Sequence, residues 1–209
     1  MMRYLENIVD FLQGAGVELV SENDDGRLNS ATNENIILQK LLGKFKKKVE
    51  IPSIRQWFDF KICQKDEIFV NVKISDLNNS AADNCSSKLG MGYALSGVKN
   101  MPLAWDKFHE ILANELKIGY DYYFLVINKN DTKDCFYTSL KRIKTLVPNG
   151  NNLPFQCNWA ENRAFSNRSE IEAMRYILDI YLQSWDKKVK GYPFKLKEMF
   201  ANNKILESE

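Results

Sequence analysis

Trp57-Phe-Asp-Phe-Lys-Ile-Cys-Gln-Lys-Asp-Glu-Ile-Phe-Val-Asn-Val-Lys73 is the stretch that decides the fold of this 209-residue chain. It predicts a β-hairpin spanning 55–75. Arg55 to Ile62 and Glu67 to Ser75 are rich in apolar and aromatic residues, and Cys63-Gln64-Lys65-Asp66 is the polar connection between them. Side chains alternate faces along a strand. The first strand therefore sets Trp57, Asp59 and Lys61 against Phe58, Phe60 and Ile62. The second sets Glu67, Phe69, Asn71, Lys73 and Ser75 against Ile68, Val70, Val72 and Ile74. Pairing Ile62 with Ile68 at the turn brings Asp59 opposite Asn71 and Lys73 opposite Trp57, and directly opposed Cβ atoms are ~4.5–5.5 Å apart. A slip by one residue would turn one strand's polar groups onto the apolar face, so the pattern itself selects this register. An acid, a second oxygen ligand and a lysine then share one face, which is what Mg²⁺-assisted hydrolysis of a phosphodiester needs. The plainer reading is a surface hairpin whose polar side meets water, but the Ile/Val face of the second strand still demands a core.

Composition frames this reading. With 44% hydrophobic and 12% aromatic residues the chain can build one substantial core, and a single domain over 1–209 is expected. No apolar run is long enough to cross a bilayer, and Met1-Met-Arg-Tyr-Leu-Glu-Asn-Ile mixes charges among its apolar residues, unlike a signal peptide. A cytoplasmic protein is the expectation. Cys63, Cys85, Cys135 and Cys157 are widely spaced and form no C-x-x-C, which argues against a zinc site or a disulfide framework. His109 is the only histidine, which argues against nucleases that use several histidines and against most Ser-His hydrolases. The formal charge of +2, from 29 Lys and Arg against 27 acids, is not that of a strongly basic nucleic-acid binder but leaves room for a local basic groove.

Working outward, Arg3 to Gln13 has helical spacing at Leu5, Ile8, Val9 and Leu12. Gly14 to Leu28 reads as a loop, and Thr32 as the cap of a second helix bearing Ile36, Ile37, Leu41, Leu42 and Phe45. That start puts Glu34 in the first turn and Lys46-Lys-Lys48 at the far end, where each suits the helix dipole. Asn84 to Leu95 and Pro102 to Leu116 look helical. Gly119 to Ile127 fits a strand buried on both sides, followed by a strand over Cys135 to Leu140. A helix begins near Asn167-Arg-Ser-Glu170, with Ile171, Met174, Leu178, Tyr181 and Trp185 as one stripe. This order predicts an α/β fold, a mixed central β-sheet flanked by helices.

Asp59 on one strand followed by Asn71-Val72-Lys73 on the next resembles the acid…acid-x-Lys signature of the PD-(D/E)XK nuclease superfamily, with Asn71 standing where the second acid is usual. The stretch from Ile74 to Leu95, a Ser/Asn-rich loop running into a helix, is similar to type II restriction endonucleases of the HincII-like branch. The likeness covers about 55–97, with a weaker echo at Asn158-Trp159-Ala160. It implies a restriction-endonuclease-like core, Mg²⁺ as cofactor, double-stranded DNA as substrate and a homodimer matched to a two-fold symmetric site. It further implies that Asp59, the Asn71 side-chain oxygen and the Val72 carbonyl hold the ion, while Lys73 orients or deprotonates the attacking water. Glu34 would join the site from the early helix. Asn78, Asn79 and Ser80 would lie in the loop that approaches DNA.

A second segment, 148–168, has the composition of a base-reading element. It contains Asn151, Asn152, Gln156, Asn158, Asn162 and Arg163, and Asn or Gln can bond adenine bidentately while Arg does so with guanine. Arg168, placed in the first turn of the next helix, would meet a phosphate. Three readings share these residues: a sequence-specific type II restriction endonuclease, a nicking endonuclease of the mismatch-repair type, and a DNA-binding protein with a degenerate, silent site.

Overall fold

The structure, a computed structural model, describes residues 2–20, 26–54, 56–79, 82–85 and 87–201. In chain order the elements are α1 (Met2–Ala15), α2 (Gly26–Phe45), β1 (Val49–Glu50), β2 (Phe60–Ile62), β3 (Ile68–Ser75), β4 (Asp83–Asn84), α3 (Lys88–Ser96), α4 (Trp105–Asn114), β5 (Tyr123–Asn128), β6 (Asp131–Ser139), β7 (Val147–Pro148), β8 (Phe155–Cys157), α5 (Glu170–Lys188) and α6 (Tyr192–Ala201). Short 3₁₀ turns cover Leu140–Arg142 and Ala160–Asn162. The fold is α/β with a mixed sheet, as expected. The chain divides into two compact units, one formed by Met1–Ser80 with Tyr123–Thr138 and the other by Ala81–Tyr122 with Ser139–Glu209.

The first unit contains a five-stranded sheet in the order β1-β2-β3-β5-β6. β1, β2 and β3 pair antiparallel, and β3 pairs parallel with β5. The hairpin register is Phe60 with Val70, Lys61 with Phe69 and Ile62 with Ile68, the pairing that the alternation selects. Its cause is the apolar face. Ile68, Val70 and Val72 are buried with Phe60, Ile62, Leu125 and Ile127 in one cluster with Leu5, Ile8, Leu12, Ile37, Leu38 and Leu41 of the first two helices. Each such side chain is worth ~1.5–3 kcal/mol when buried. A one-residue slip would expose several at once, far outweighing surface ion pairs at ~0–1 kcal/mol each.

Three expectations in this unit need correction. β2 begins at Phe60, not at 55: Trp57 to Asp59 form a bend, and Arg55 lies outside the described residues. Trp57 and Phe58 both pack on Phe69, with ring centroids 4.8 Å away in each case, so alternation fails there and Trp57 does not stand across from Lys73. α2 begins at Gly26, which places Thr32 inside the helix and Glu34 well beyond its first turn. The Asn33 amide grips the Val20 N–H (2.7 Å) and carbonyl (2.9 Å), an interaction with no periodic signal in the sequence. Of the polar loop expected over Gly14 to Leu28, residues 21–25 lie outside the described residues.

Among the described residues, the second unit has a small antiparallel sheet, β4-β8-β7, and the helices α3 to α6. The helix expected from Asn84 starts at Lys88 instead, because Ser87 Oγ accepts from the Gly90 N–H (3.0 Å) and Asp83–Asn84 pair with Gln156–Cys157. α5 is capped by Ser169 and Glu172, not by Asn167 and Glu170: Ser169 Oγ accepts from the Glu172 N–H, and the Glu172 carboxylate from the Ser169 N–H. Its Met174, Leu178, Tyr181 and Trp185 are buried, as the stripe predicts.

Gly90 lies where α3 meets the fully buried Tyr122 ring, and a Cβ there would fall 2.5–2.8 Å from three ring atoms. Gly90→Ala is expected to destabilise the protein by about 1–3 kcal/mol, measured as a lower urea midpoint with an unchanged slope.

Candidate functional site

β2 and β3 place the hairpin residues. The Asp59 N–H donates to the carbonyl of Val70, the residue already paired with Phe60 (2.9 Å), so the regular ladder is interrupted at Asp59 in the manner of a β-bulge and the expected pairing of Asp59 with Asn71 is not formed. The Asp59 carboxylate then turns onto β3, where Oδ2 accepts from the Val72 N–H (2.7 Å). The acid is thereby fixed against the strand that bears Asn71 and Lys73. These two lie on the same face, ~6.6 Å apart along the strand, beside Phe124 and Val126 of β5. Asn71 Oδ1 is buried and accepts no hydrogen bond among the described residues. An orphaned acceptor is unusual inside a protein and deserves a cause. Lys73, half-buried, forms no hydrogen bond or ion pair among the described residues. Lys61, on the same face, is committed elsewhere: its ammonium pairs with Glu67 (2.9 Å) and Glu50 (3.2 Å), and the Glu67 hydrogen bond raises its pKa.

These positions suit a hard divalent cation in kind, though not in number. Asp59 offers a carboxylate and Asn71 a neutral oxygen lacking a donor, an all-oxygen set of the type Mg²⁺ takes. No group of three His, Cys, Asp or Glu able to hold a metal occurs among the described residues. Mg²⁺ is often held by one or two carboxylates, its remaining positions filled by waters or substrate phosphates, and the set here is of that sparse kind. Glu34 is not brought to this face. α2 covers the apolar side of β3, where Val70 and Val72 lie, whereas Asn71 and Lys73 point the other way.

The other sequence-predicted residues fall into two groups. Asn78 and Asn79 are exposed in the turn after β3, and Ser80 lies outside the described residues. Asn151, Asn152 and Arg163 are exposed, and Gln156 on β8 donates to Asn84 Oδ1 (3.3 Å). Asn158, Asn162 and Arg168 serve the fold instead. Asn158 Oδ1 accepts from the Ala160 N–H (2.9 Å) and starts the 3₁₀ turn. Asn162 is fully buried, accepting from the Lys144 and Thr145 N–H groups (2.8 and 3.0 Å) and donating to the Asn158 and Thr145 carbonyls. Arg168 precedes α5, lies 3.8 Å from the Tyr176 ring centroid and donates to the Ile143 and Lys144 carbonyls (2.9 and 3.0 Å). Its guanidinium is occupied by backbone where a phosphate contact was expected.

A recess of about 240 Å³ in the second unit was not anticipated from the sequence. It is lined by Asp121, Lys141, Arg142, Arg168 and Glu170, and these charges answer one another. Lys141 pairs with Glu170, Arg142 lies over the Phe165 ring, and burial pushes the Asp121 carboxyl up. His109 is structural. It is buried among Trp105, Tyr181 and Trp185, with Nε2 2.7 Å from the Tyr181 hydroxyl.

Compared with models of known protein families and with curated protein sequences, the chain matches none. No helix among the described residues is long and apolar enough to cross a membrane.

Two stability measurements follow. Asn162→Ala removes a buried amide that satisfies four backbone groups and is expected to cost roughly 2–4 kcal/mol, read by chemical denaturation; a base-reading asparagine would leave stability unchanged. Burial, and then the nearby Lys88 ammonium, lowers the His109 pKa to about 4 from 6.5. As pH falls the unfolded chain takes up the proton first, so the stability contributed by neutral His109 is whole above ~6.5 and drains away towards ~4. Between pH 7 and 5 this loss is about 2 kcal/mol, and His109→Gln should abolish that component in urea unfolding at the two pH values.

Proposed function

We propose that this protein is a Mg²⁺-dependent endonuclease that hydrolyses phosphodiesters of double-stranded DNA at specific sequences, acting as a homodimer in the cytoplasm. The observation that carries the reading is the fixing of the Asp59 carboxylate on the Val72 N–H, between Asn71 and Lys73 of the same strand. Asp59 and the Asn71 side-chain oxygen would hold the ion, with the Val72 carbonyl as third protein ligand. A bound divalent cation supplies Lewis acidity and lowers the pKa of a coordinated water. Lys73 contributes a fixed positive charge where negative charge develops on the phosphate, and it orients the attacking water. Because Asn71 carries no charge, the site holds one negative charge fewer than an acid-x-Lys site. Ion retention then leans on the DNA phosphate itself. Asn78 and Asn79 are the residues nearest in sequence to Lys73 with exposed amide side chains, and Asn151, Asn152, Gln156 and Arg163 offer further groups for reading base edges.

A silent DNA-binding protein is the second reading, and the observation favouring it is the absence of a three-acid group among the described residues. Incubating the protein with unmethylated plasmid and Mg²⁺ separates the readings. Discrete double-strand fragments are expected, and nicked circles would instead indicate the repair-type activity. Lys73→Ala and Asp59→Ala should each slow cutting by roughly 10²–10³-fold, while Asn71→Asp should shift the Mg²⁺ midpoint to lower concentration. Retention of DNA without cleavage by either the protein or Asn71→Asp selects the binder. Neither cutting nor retention removes the DNA reading altogether.

A further inference from the structure

The chain leaves β3 through Asp76, three residues beyond Lys73, and enters a turn that is tied down from several directions. Asp76 Oδ1 accepts from the Asn78 N–H (3.1 Å) and from Asn130 Nδ2 (2.8 Å). Its Oδ2 faces the Lys129 ammonium at 3.4 Å, and its carbonyl accepts from the Asn79 N–H (3.2 Å). Leu77, inside the turn, is 7% exposed and anchors it from below. The other end of this clamp is itself held. The Lys129 N–H donates to the Ser75 carbonyl (2.9 Å), the Asn130 N–H to Asn128 Oδ1 (3.1 Å), and buried Asn128 donates to Asp134 Oδ2 (3.0 Å). A continuous set of hydrogen bonds thus runs from the turn into the β5–β6 connection. Among the described residues of this turn, Asn78 and Asn79 are exposed.

We infer that Asp76 is a positioning residue for sequence discrimination: it fixes the backbone from which Asn78 and Asn79 meet the DNA duplex. This rests on the nuclease reading above. A bidentate amide–base contact is satisfied only over a narrow range of positions and angles, so a turn held in advance discriminates between bases where a loose one does not. The carboxylate's acceptor oxygen is the operative feature. Its charge matters little, because Lys129 is 53% exposed and that pair is screened.

The test compares the wild-type protein with Asp76→Ala, Asp76→Asn and Asn130→Ala. It measures cutting at the preferred plasmid sites relative to one-base-different sites, with hydrogen exchange of the 76–79 peptide in parallel. Asp76→Ala and Asn130→Ala should each lower this discrimination ratio by at least about ten-fold and speed exchange of that peptide while leaving β3 protected. Asp76→Asn keeps the Oδ1 acceptor and should restore both readouts to near wild type. An unchanged ratio in Asp76→Ala, or an equal loss of rate at all sites, overturns the proposal in favour of no role or a merely structural one. If the wild-type protein itself neither cuts nor retains DNA, the nuclease reading has failed and this inference fails with it, a result visible before any variant is made.

Discussion

The Val72 N–H points along the sheet towards the place where β2 would continue, and it finds the Asp59 carboxylate there in place of a backbone carbonyl. An N–H left unpaired at that depth would cost on the order of 1–3 kcal/mol, so β3 needs an acceptor at this point. Asp59 can reach it because its own N–H has already bonded the Val70 carbonyl. The exchange has two effects. It ends the ladder without an orphaned donor, and it locks a negative charge onto the one strand that carries Asn71 and Lys73. The position of the Asp59 carboxylate depends on that substitution of side chain for main chain.

β3 has two faces with opposed duties. Its even-numbered residues are apolar and sit under α1 and α2, which sets the register. Its odd-numbered residues are then left with no choice of direction. Asn71 is the clearest case: its amide oxygen is shut away from solvent and from donors alike. A sequence selected for stability alone would place an apolar side chain there, beside Phe124 and Val126. The buried amide oxygen is the one feature of Asn71 that packing against these neighbours does not account for.

Much of the architecture was legible because long, strongly periodic segments leave little freedom. β3, the Ile62–Ile68 pairing, α1 and the buried stripe of α5 all follow from apolar spacing alone. Failures cluster where short-range packing or a competing hydrogen bond overrides the pattern. Trp57 and Phe58 both close on Phe69, so the alternating reading of 55–59 dissolves into a bend. Asn167 and Ser169 each stand three residues before a glutamate, and sequence alone cannot rank them. Arg168 decides, since its guanidinium is pinned to the Ile143 and Lys144 carbonyls and holds that residue outside the helix. The β4-β8-β7 sheet was invisible, its two- and three-residue strands being too short to show any period. In the candidate site the same division holds. Asn71 and Lys73 are placed by strand geometry, which spacing reveals, whereas Asp59 is held from a bend by its carboxylate's bond to the Val72 N–H. Asn162 and Arg168 are taken up by loop carbonyls and amides that no spacing reveals.

The parallel pairing of β3 with β5 carries a consequence for how the polypeptide is made. Residues 76–122 separate the two strands in the chain, and part of the second unit is built from them. During synthesis the hairpin emerges with one long edge of β3 unpaired, and its neighbour is still inside the ribosome. Contacts of such wide sequence separation form late and slowly, and an unpaired strand edge invites association with other chains. The nascent protein is therefore most vulnerable to aggregation in the interval before residue 128 is exposed, and chaperone dependence should be concentrated there.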